Sequence, residues 1–324
     1  MDILDRERNI YGFDPTYGYS LEQLLKVETP KEPKYFDDFW RARYEKALGV
    51  MPLPQINDTN QNRSGWRVFR INYCSTDNFP IRGWLLLPES GEITRGFVIG
   101  HGYGGRYEPD FHLPFKDAAL LFPCFRGLAL SNRPPISTEP NWHVLHDIDR
   151  LDKYILGGCV EDLWLAVSAL LRLFPQLQGH LGYLGLSFGG GIGALALGYE
   201  PRIARGHLNL PTFGHHPLRL RLETLGSTKS MQNFYKSHRK LTLKVLRYYD
   251  AANAAKRITI PMHCACAQFD PCVAPPAQFA IFNALGGEKK LFLLDAGHHN
   301  YPNQKQQELE LIKQLDTFFK PLNS

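Results

Sequence analysis

The stretch 185–189 reads Gly-Leu-Ser-Phe-Gly and carries a serine, Ser187, in a setting that suits nucleophilic chemistry. An apolar run at 181–186 leads into it and a Gly/Ala-rich run at 190–197 follows, which predicts a strand, a sharp turn and a helix. Such a turn holds the serine Oγ clear of the backbone, and small neighbours let a substrate approach closely. The pattern predicts a serine that attacks a carbonyl carbon. The alternative is a Gly-rich turn with a capping serine.

An acid and a base follow Ser187 in the order that such a nucleophile requires. Asp270 comes directly after the apolar run 258–269, and His298 comes shortly after the run 290–294. In this arrangement the histidine takes the serine proton, while the acid fixes the imidazole tautomer and stabilises the imidazolium. We therefore predict a triad of Ser187, His298 and Asp270, joined by hydrogen bonds of about 3 Å.

Two neighbours of the predicted base compete for these roles. Asp295 lies at the end of the last strand signal and is an alternative acid, and His299 directly follows His298 and is an alternative base. The position of each predicted triad residue in the loop after a strand favours Asp270 and His298 over these neighbours.

The negative charge that develops on the attacked carbonyl oxygen needs two positioned N–H donors. One is predicted to be the backbone N–H of Phe188, the residue after the nucleophile. The second is predicted in the loop 101–105, His-Gly-Tyr-Gly-Gly, which follows the buried strand signal 97–99, and we assign it to the N–H of Tyr103. An ordinary flexible turn is the alternative for this glycine-rich loop.

Strands alternate with helices after residue 95, which predicts an α/β protein with a mostly parallel sheet and helices on both faces. Upstream, the alternating runs 69–73 and 81–87 predict an antiparallel pair at a sheet edge. The remaining strand signals lie at 118–125 and 206–210. The helix signals lie at 160–174, 278–285 and 308–319.

The chain of 324 residues is predicted to form one domain, 1–324. Residues 1–60 form an N-terminal segment, with short helices at 20–25 and 37–48, that wraps the core or contacts a neighbouring subunit. A long helical pattern at about 233–255 lies within 211–257, and this insertion is predicted to form a small helical cap over the site.

Composition excludes several classes of protein. The net charge of +5 comes from basic residues scattered among acids, which argues against a nucleic-acid partner. Residues 1–10 lack the apolar region of a signal peptide, and no apolar run reaches the length of a membrane span. Six cysteines show no disulfide framework. We expect a soluble, reduced, cytoplasmic protein without a membrane partner.

Two further motifs are weaker. The stretch 191–196 matches a loose G-x-G-x-x-A, but it lies past the strand–helix turn and has no acid about twenty residues on, so a nucleotide site is not expected. His263, Cys264, Cys266 and Cys272 are residue types that can bind a metal ion. Because side chains along one buried strand alternate in direction, this group is not expected to converge on a metal ion, and we interpret the cysteines as small core residues. No cofactor or metal is predicted.

The chain resembles the acetyl xylan esterase/cephalosporin C deacetylase family of α/β hydrolases. The resemblance rests on the following residues and stretches: 36–40, Phe-Asp-Asp-Phe-Trp; 101–105; Arg126-Gly127; the serine turn; 248–253; Asp270 with Pro275-Pro276; and Gly297-His298. It implies the α/β-hydrolase fold and deacetylation of small acetylated substrates, often sugars, without a cofactor. It also implies a ring-like homo-oligomer and a supporting role for Arg126 at the site.

The chain departs from this family at four places. Leu128 and Phe188 each stand where the family usually has glutamine, and His299 stands where it usually has glutamate. The paired prolines lie one residue farther from Asp270. The three predicted triad residues are unaffected, so the departures indicate a divergent member with altered polar support and a more apolar rim around the site.

The leading hypothesis is a serine carboxylesterase that removes acetyl or other short acyl groups from small, possibly carbohydrate, esters. A thioesterase, peptidase or acyltransferase on the same fold is an alternative. The third hypothesis is a binding protein that keeps the fold without catalysis.

Overall fold

The computed structural model describes residues 10–323, in which nine strands form one sheet. Along the sheet the strands follow the order β1-β2-β3-β5-β4-β6-β7-β8-β9. Strands β5, β4, β6, β7, β8 and β9 run parallel, whereas β1, β2 and β3 add an antiparallel section at one side. Their bounds are β1 Gln55–Arg63, β2 Trp66–Ser75, β3 Phe79–Pro88, β4 Arg95–Gly100, β5 Ala118–Pro123, β6 Leu181–Leu186, β7 Ile203–Asn209, β8 Met262–Ala267 and β9 Lys289–Leu294.

Helices cover both faces of this sheet. One face packs against a large core cluster that includes Trp164, Ile192 and Phe279, and the other against a smaller cluster that includes Leu315 and Phe319. The α-helices are α1 Leu21–Leu24, α2 Phe36–Leu48, α3 Pro140–His143, α4 Ile155–Leu173, α5 Phe188–Ala196, α6 His216–Arg219, α7 Gly226–Ser237, α8 Arg239–Leu246, α9 Ala251–Ala255, α10 Pro275–Ala284 and α11 Gln304–Phe319. The predicted fold class, a mostly parallel sheet between helical layers, is confirmed.

The predicted antiparallel pair is present as β2 and β3, but it does not lie at the edge of the sheet. Strand β1 pairs outside β2, with Gln55 opposite Asn72 and Arg63 opposite Trp66. Its sequence, QINDTNQNR, is polar and largely exposed on both faces. Strand β1 is held mainly by backbone hydrogen bonds to one neighbouring strand, so its sequence does not alternate between apolar and polar residues. The sequence pattern therefore did not predict it.

The predicted long helix at 233–255 is divided into shorter pieces. Helix α7 ends at Ser237, the backbone of His238 (φ −128°, ψ 37°) is not helical, and α8 starts at the next residue. Asp250 then adopts an extended conformation and caps α9 by accepting the Ala252 N–H. With α6, these pieces lie between β7 and β8 along the chain, and α7 packs against α3. Whether they cap the site stays a prediction.

The N-terminal segment is described from residue 10, so residues 1–9, including most of the stretch examined for a signal peptide, lie outside the described residues. Within it, Trp40 on α2 is fully buried and packs edge-on against Trp164 and Tyr249. Asp37 accepts hydrogen bonds from Arg257 and Tyr199. The FDDFW motif, which forms the start of α2, therefore joins this segment to the core. No helix among residues 10–323 is long and apolar enough to cross a membrane.

Candidate active site

The turn between β6 and α5 places Ser187 at the carboxyl edge of the sheet. Its backbone has φ 51° and ψ −103°, a region that non-glycine residues rarely adopt. A Cβ added to Gly185 would lie 2.5 Å from the Gly189 carbonyl oxygen, and one on Gly189 would lie 2.6 Å from the Gly100 carbonyl carbon. The two glycines of the motif are therefore needed for the strand, the helix and the neighbouring β4 to approach one another.

The structure brings Ser187, His298 and Asp270 together. Ser187 Oγ lies 2.9 Å from His298 Nε2, and His298 Nδ1 lies 2.8 Å from Asp270 Oδ2. An ionised carboxylate only accepts hydrogen bonds, so the imidazole proton is assigned to Nδ1 and Nε2 is left to accept from the serine hydroxyl. The arrangement can move a proton from Ser187 to His298.

Asp270 is fully buried and its carboxylate is saturated with donors. Oδ1 accepts the backbone N–H groups of Cys272 and Val273 at 2.8 and 2.9 Å, and Oδ2 accepts Gln278 Nε2 at 2.9 Å in addition to His298. Gln278 is itself fully buried on α10. Sequence reasoning missed this glutamine, because a single amide on a predicted helix gives no signal of its own.

The charge of Asp270 controls the basicity of His298. Burial opposes protonation of the imidazole, but the carboxylate charge and the hydrogen bond to Asp270 outweigh it, so the pKa of His298 is raised above its usual value. A quarter of the histidine side chain remains exposed. The residue is therefore a stronger base than free histidine and is accessible to a substrate.

The alternative acid and base lie elsewhere. Asp295 is exposed and accepts a hydrogen bond from Gln307 Nε2 at 3.0 Å. His299 Nδ1 is bonded to the Tyr11 hydroxyl at 2.7 Å, and its ring packs against Phe269. The structure therefore pairs each of the two with residues other than Ser187.

The two predicted donors, the backbone N–H groups of Phe188 and Tyr103, lie on adjoining segments. Phe188 is the first residue of α5, where an N–H has no acceptor inside the helix. Tyr103 belongs to the loop after β4, and its ring lies 4.2 Å from that of Phe188, measured between centroids. This loop is tied to α5 because His101 accepts the Gly189 N–H on its carbonyl oxygen at 2.9 Å. Which peptides donate to a substrate stays a prediction.

Arg126 lies behind this loop and does not hydrogen-bond to Ser187, His298 or Asp270. Its guanidinium is buried and binds Asp162 on α4, with Nη2 at 2.6 Å from Oδ1. Burial alone would lower the pKa of Arg126, but the charge of Asp162 outweighs it and the pKa is raised. Arg126 therefore remains charged, and its supporting role at the site stays a prediction.

The departures from the family pattern change the packing around the serine. Phe188 is fully buried and meets the rings of Tyr103, Phe125 and Phe213. Leu128 is also buried and belongs to the same core cluster. An aromatic cluster thus fills the space behind the two predicted donors. At the remaining departure, the paired prolines Pro275 and Pro276 form the first turn of α10.

A cleft of about 980 Å³ reaches His298 from the α11 side of the sheet. We call it the His298 cleft. Apolar side chains from strand ends form part of its wall, and polar groups from the loop after β4 and from α11 form another part. Its lining includes Leu186, Asn209, His298, Lys305 and Leu309.

The weaker motifs have structural roles. The stretch 191–196 lies inside α5, after the turn. Cys264 and Cys266 are fully buried in β8 and belong to the core, and all six cysteines are free thiols. Among the described residues, no group of three or more His, Cys, Asp or Glu side chains could hold a metal ion.

A serine at a sharp strand–helix turn, on a mostly parallel sheet between helical layers, defines the α/β-hydrolase fold. Solved structures share it. An acetyl xylan esterase from Paenibacillus sp. R4 is 20% identical with a TM-score of 0.78, covering 91% of this chain and 99% of that one. Acetyl xylan esterase 1 from Thermoanaerobacterium sp. JW/SL YS485 is 16% identical with a TM-score of 0.76, covering 94% and 99%.

A peptidase shares the fold more distantly. Acylaminoacyl peptidase from Pyrococcus horikoshii is 16% identical with a TM-score of 0.62, and the match covers 79% of this chain but 41% of the peptidase. The sequence itself matches the acetyl xylan esterase (AXE1) family over residues 16–315. The chain belongs to the acetyl xylan esterase family, and it is a carboxylic ester hydrolase of this carbohydrate-esterase type.

Proposed function

We propose that this protein is a serine carboxylesterase that removes acetyl or other short acyl groups from small esters, including acylated carbohydrates. The observation that carries the proposal is the continuous hydrogen-bonded chain from Ser187 Oγ through His298 to Asp270. Family membership supports the ester as the substrate class. Membership of the acetyl xylan esterase family also supports the acetyl group and the carbohydrate portion.

In the first half of the reaction, Ser187 Oγ attacks the ester carbonyl carbon while its proton passes to His298 Nε2. Asp270 stabilises the imidazolium, and the carbonyl oxygen, now negative, accepts from the N–H groups of Phe188 and Tyr103. The bond to the alcohol oxygen then breaks, and that oxygen takes the proton from His298. The acyl group is left on Ser187.

In the second half, water takes the place of the alcohol. His298 removes a proton from the water as it attacks the acyl carbon, and then returns the proton to Ser187 Oγ as the acid leaves. Both leaving and attacking oxygens must come within reach of His298 Nε2. Because the His298 cleft reaches the same histidine, we assign it to the alcohol portion of the substrate.

The first test is covalent labelling with a fluorophosphonate. We expect labelling of the wild-type protein and its loss in Ser187→Ala, with retained labelling in a matched control, Ser237→Ala, at an exposed position on α7. Labelling that persists in Ser187→Ala would refute the assignment of the nucleophile.

The second test is a substrate panel of p-nitrophenyl esters, acetylated sugars, acyl-CoA thioesters and aminoacyl substrates. We expect the highest kcat/KM for acetyl or other short-chain esters. A clear preference for thioesters or aminoacyl substrates would contradict the proposal and favour another α/β-hydrolase activity.

Assembly and location remain predictions. We propose a homo-oligomer, as the family resemblance implies, and a cytoplasmic location, as the composition of the sequence indicates. Light scattering coupled to gel filtration would measure the mass in solution, and a single-chain mass would contradict the oligomer.

A further inference from the structure

Tyr103 is held between two side chains beside the nucleophile. On one side its ring packs on Phe188, with 4.2 Å between the ring centroids. On the other side its hydroxyl lies 3.0 Å from His143 Nδ1. The two residues proposed to stabilise the oxyanion therefore contact each other through their side chains, and one of them has a further polar attachment.

The hydrogen bonds of His143 define its tautomer. Nε2 lies 2.9 Å from the carbonyl oxygen of Arg126, which can only accept, so the imidazole proton is on Nε2. Nδ1 is then an acceptor, and the Tyr103 hydroxyl donates to it. His143 is fully buried, and burial lowers its pKa to about 4, which keeps the ring neutral near pH 7. Each ring nitrogen has one partner.

The partner of His143 is itself fixed. Arg126 donates its backbone N–H to Asp162 at 2.9 Å, and its guanidinium binds the same carboxylate. Gly127 has φ +83°, and a Cβ there would lie 2.3 Å from Ile136 Cγ2 and 3.1 Å from the His143 ring, so this backbone conformation and the crowding around it favour glycine. A continuous chain of contacts thus runs from Tyr103 through His143 and Arg126 to α4.

We infer that His143 is a positioning residue for the oxyanion donor of Tyr103: it anchors the Tyr103 hydroxyl and thereby fixes the direction of the Tyr103 N–H. The inference rests on the proposed serine-esterase function. It adds a residue that the sequence did not reveal, because His143 lies in the irregular, polar stretch 131–158 and follows no strand.

Two single variants and their combination test the coupling. Tyr103→Phe removes only the hydroxyl and keeps the backbone N–H, and His143→Leu removes its acceptor. Losing a whole oxyanion donor costs about 10²–10³ in kcat, so a misdirected one should cost roughly tenfold or more. We expect each variant to lower kcat with KM nearly unchanged, and the double variant to be no slower than the slower single variant.

Two further readouts separate positioning from general destabilisation. Affinity for a boronic acid, whose tetrahedral adduct places a negative oxygen in the donor site, should fall by the same factor as kcat/KM. His143→Asn, which keeps an acceptor near the Nδ1 position, should recover much of the lost kcat. If His143→Leu does not fold, Tyr103→Phe and His143→Asn still provide these measurements.

The inference is overturned if Tyr103→Phe retains wild-type kcat, if the two losses multiply, or if only KM changes. These outcomes differ from failure of the proposed function itself. In that case the wild-type protein would neither hydrolyse acetyl esters nor be labelled by a fluorophosphonate at Ser187.

Discussion

At the scale of single residues, the order of chemical types along the chain was enough to predict which side chains meet. Ser187, Asp270 and His298 each follow a strand, and in a parallel sheet the carboxyl ends of strands meet at one edge. Gln278 and His143 could not be predicted in this way, since each matters only through a side-chain contact that forms when the chain folds. Local sequence carries no record of such contacts.

The protonation state of one residue, His298, should set the pH dependence of the reaction. His298 must be neutral to accept the serine proton, so kcat/KM should fall as the pH drops through its pKa, which Asp270 raises above the usual histidine value. In Asp270→Asn the carboxylate charge is lost, and the fall of kcat/KM on the acid side of the pH profile (the acid limb) should move to lower pH. The rate should also fall, by up to about 10⁴-fold, as in serine proteases.

A pH series of kcat/KM for both proteins measures this shift. Asp295→Asn, at the exposed carboxylate near the same loop, is the matched control and should leave the limb in place. An acid limb that stays unchanged in Asp270→Asn would show that Asp270 does not tune the base.

At the scale of elements, buried strands and amphipathic helices were predictable because their patterns reflect their burial. Strand β6 and helix α4 were found from their apolar residues, whereas β1 is polar on both faces and was not. The break between α7 and α8 also left no signal, since His238 is neither glycine nor proline. Elements held by backbone bonds or tertiary contacts are therefore those that sequence patterns miss.

The loop that carries His298 packs closely against the loop that carries Asp270. A Cβ added to Gly297 would lie 2.5 Å from Asp270 Oδ2 and 2.7 Å from Leu210 Cδ2. Gly297→Ala should therefore displace the carboxylate from His298 and lower kcat by at least tenfold, in line with the sensitivity of catalysis to small misplacements.

The matched control is Gly49→Ala, where the nearest atom would be 3.4 Å away and φ is −70°. Steady-state kinetics of the two variants, with thermal unfolding as a check of folding, make the comparison. Equal kcat in Gly297→Ala and the wild type would contradict the tight packing at this loop.

At the scale of the whole molecule, we propose that the chain folds as one domain, because both core clusters pack on the same sheet. The His298 cleft arises only at this scale. It is lined by strand ends, by the loop after β4 and by α11, which are far apart in the sequence. Its existence depends on how these elements pack, which no local pattern records.

Selectivity for the alcohol portion follows from this cleft. Leu309 on α11 lines it and is 55% exposed, so Leu309→Trp should narrow the cleft without disturbing the core. We expect KM to rise several-fold for acetyl esters of bulky alcohols, and to change little for methyl acetate. The control is Leu241→Trp on α8, which is 43% exposed and does not line the cleft.

KM values for a series of acetyl esters of increasing alcohol size would measure the effect. If Leu309→Trp raises KM equally for methyl acetate and for bulky esters, the alcohol portion does not occupy the cleft.

In the proposed mechanism, Ser187 carries the acyl group during turnover. The most direct measurement is mass spectrometry of the enzyme after rapid mixing with p-nitrophenyl acetate and an acid quench, followed by peptide mapping. We expect one acetyl group on the peptide that contains Ser187 and none on that peptide in Ser187→Ala. An acetyl group on another residue, or undiminished turnover by Ser187→Ala, would contradict it.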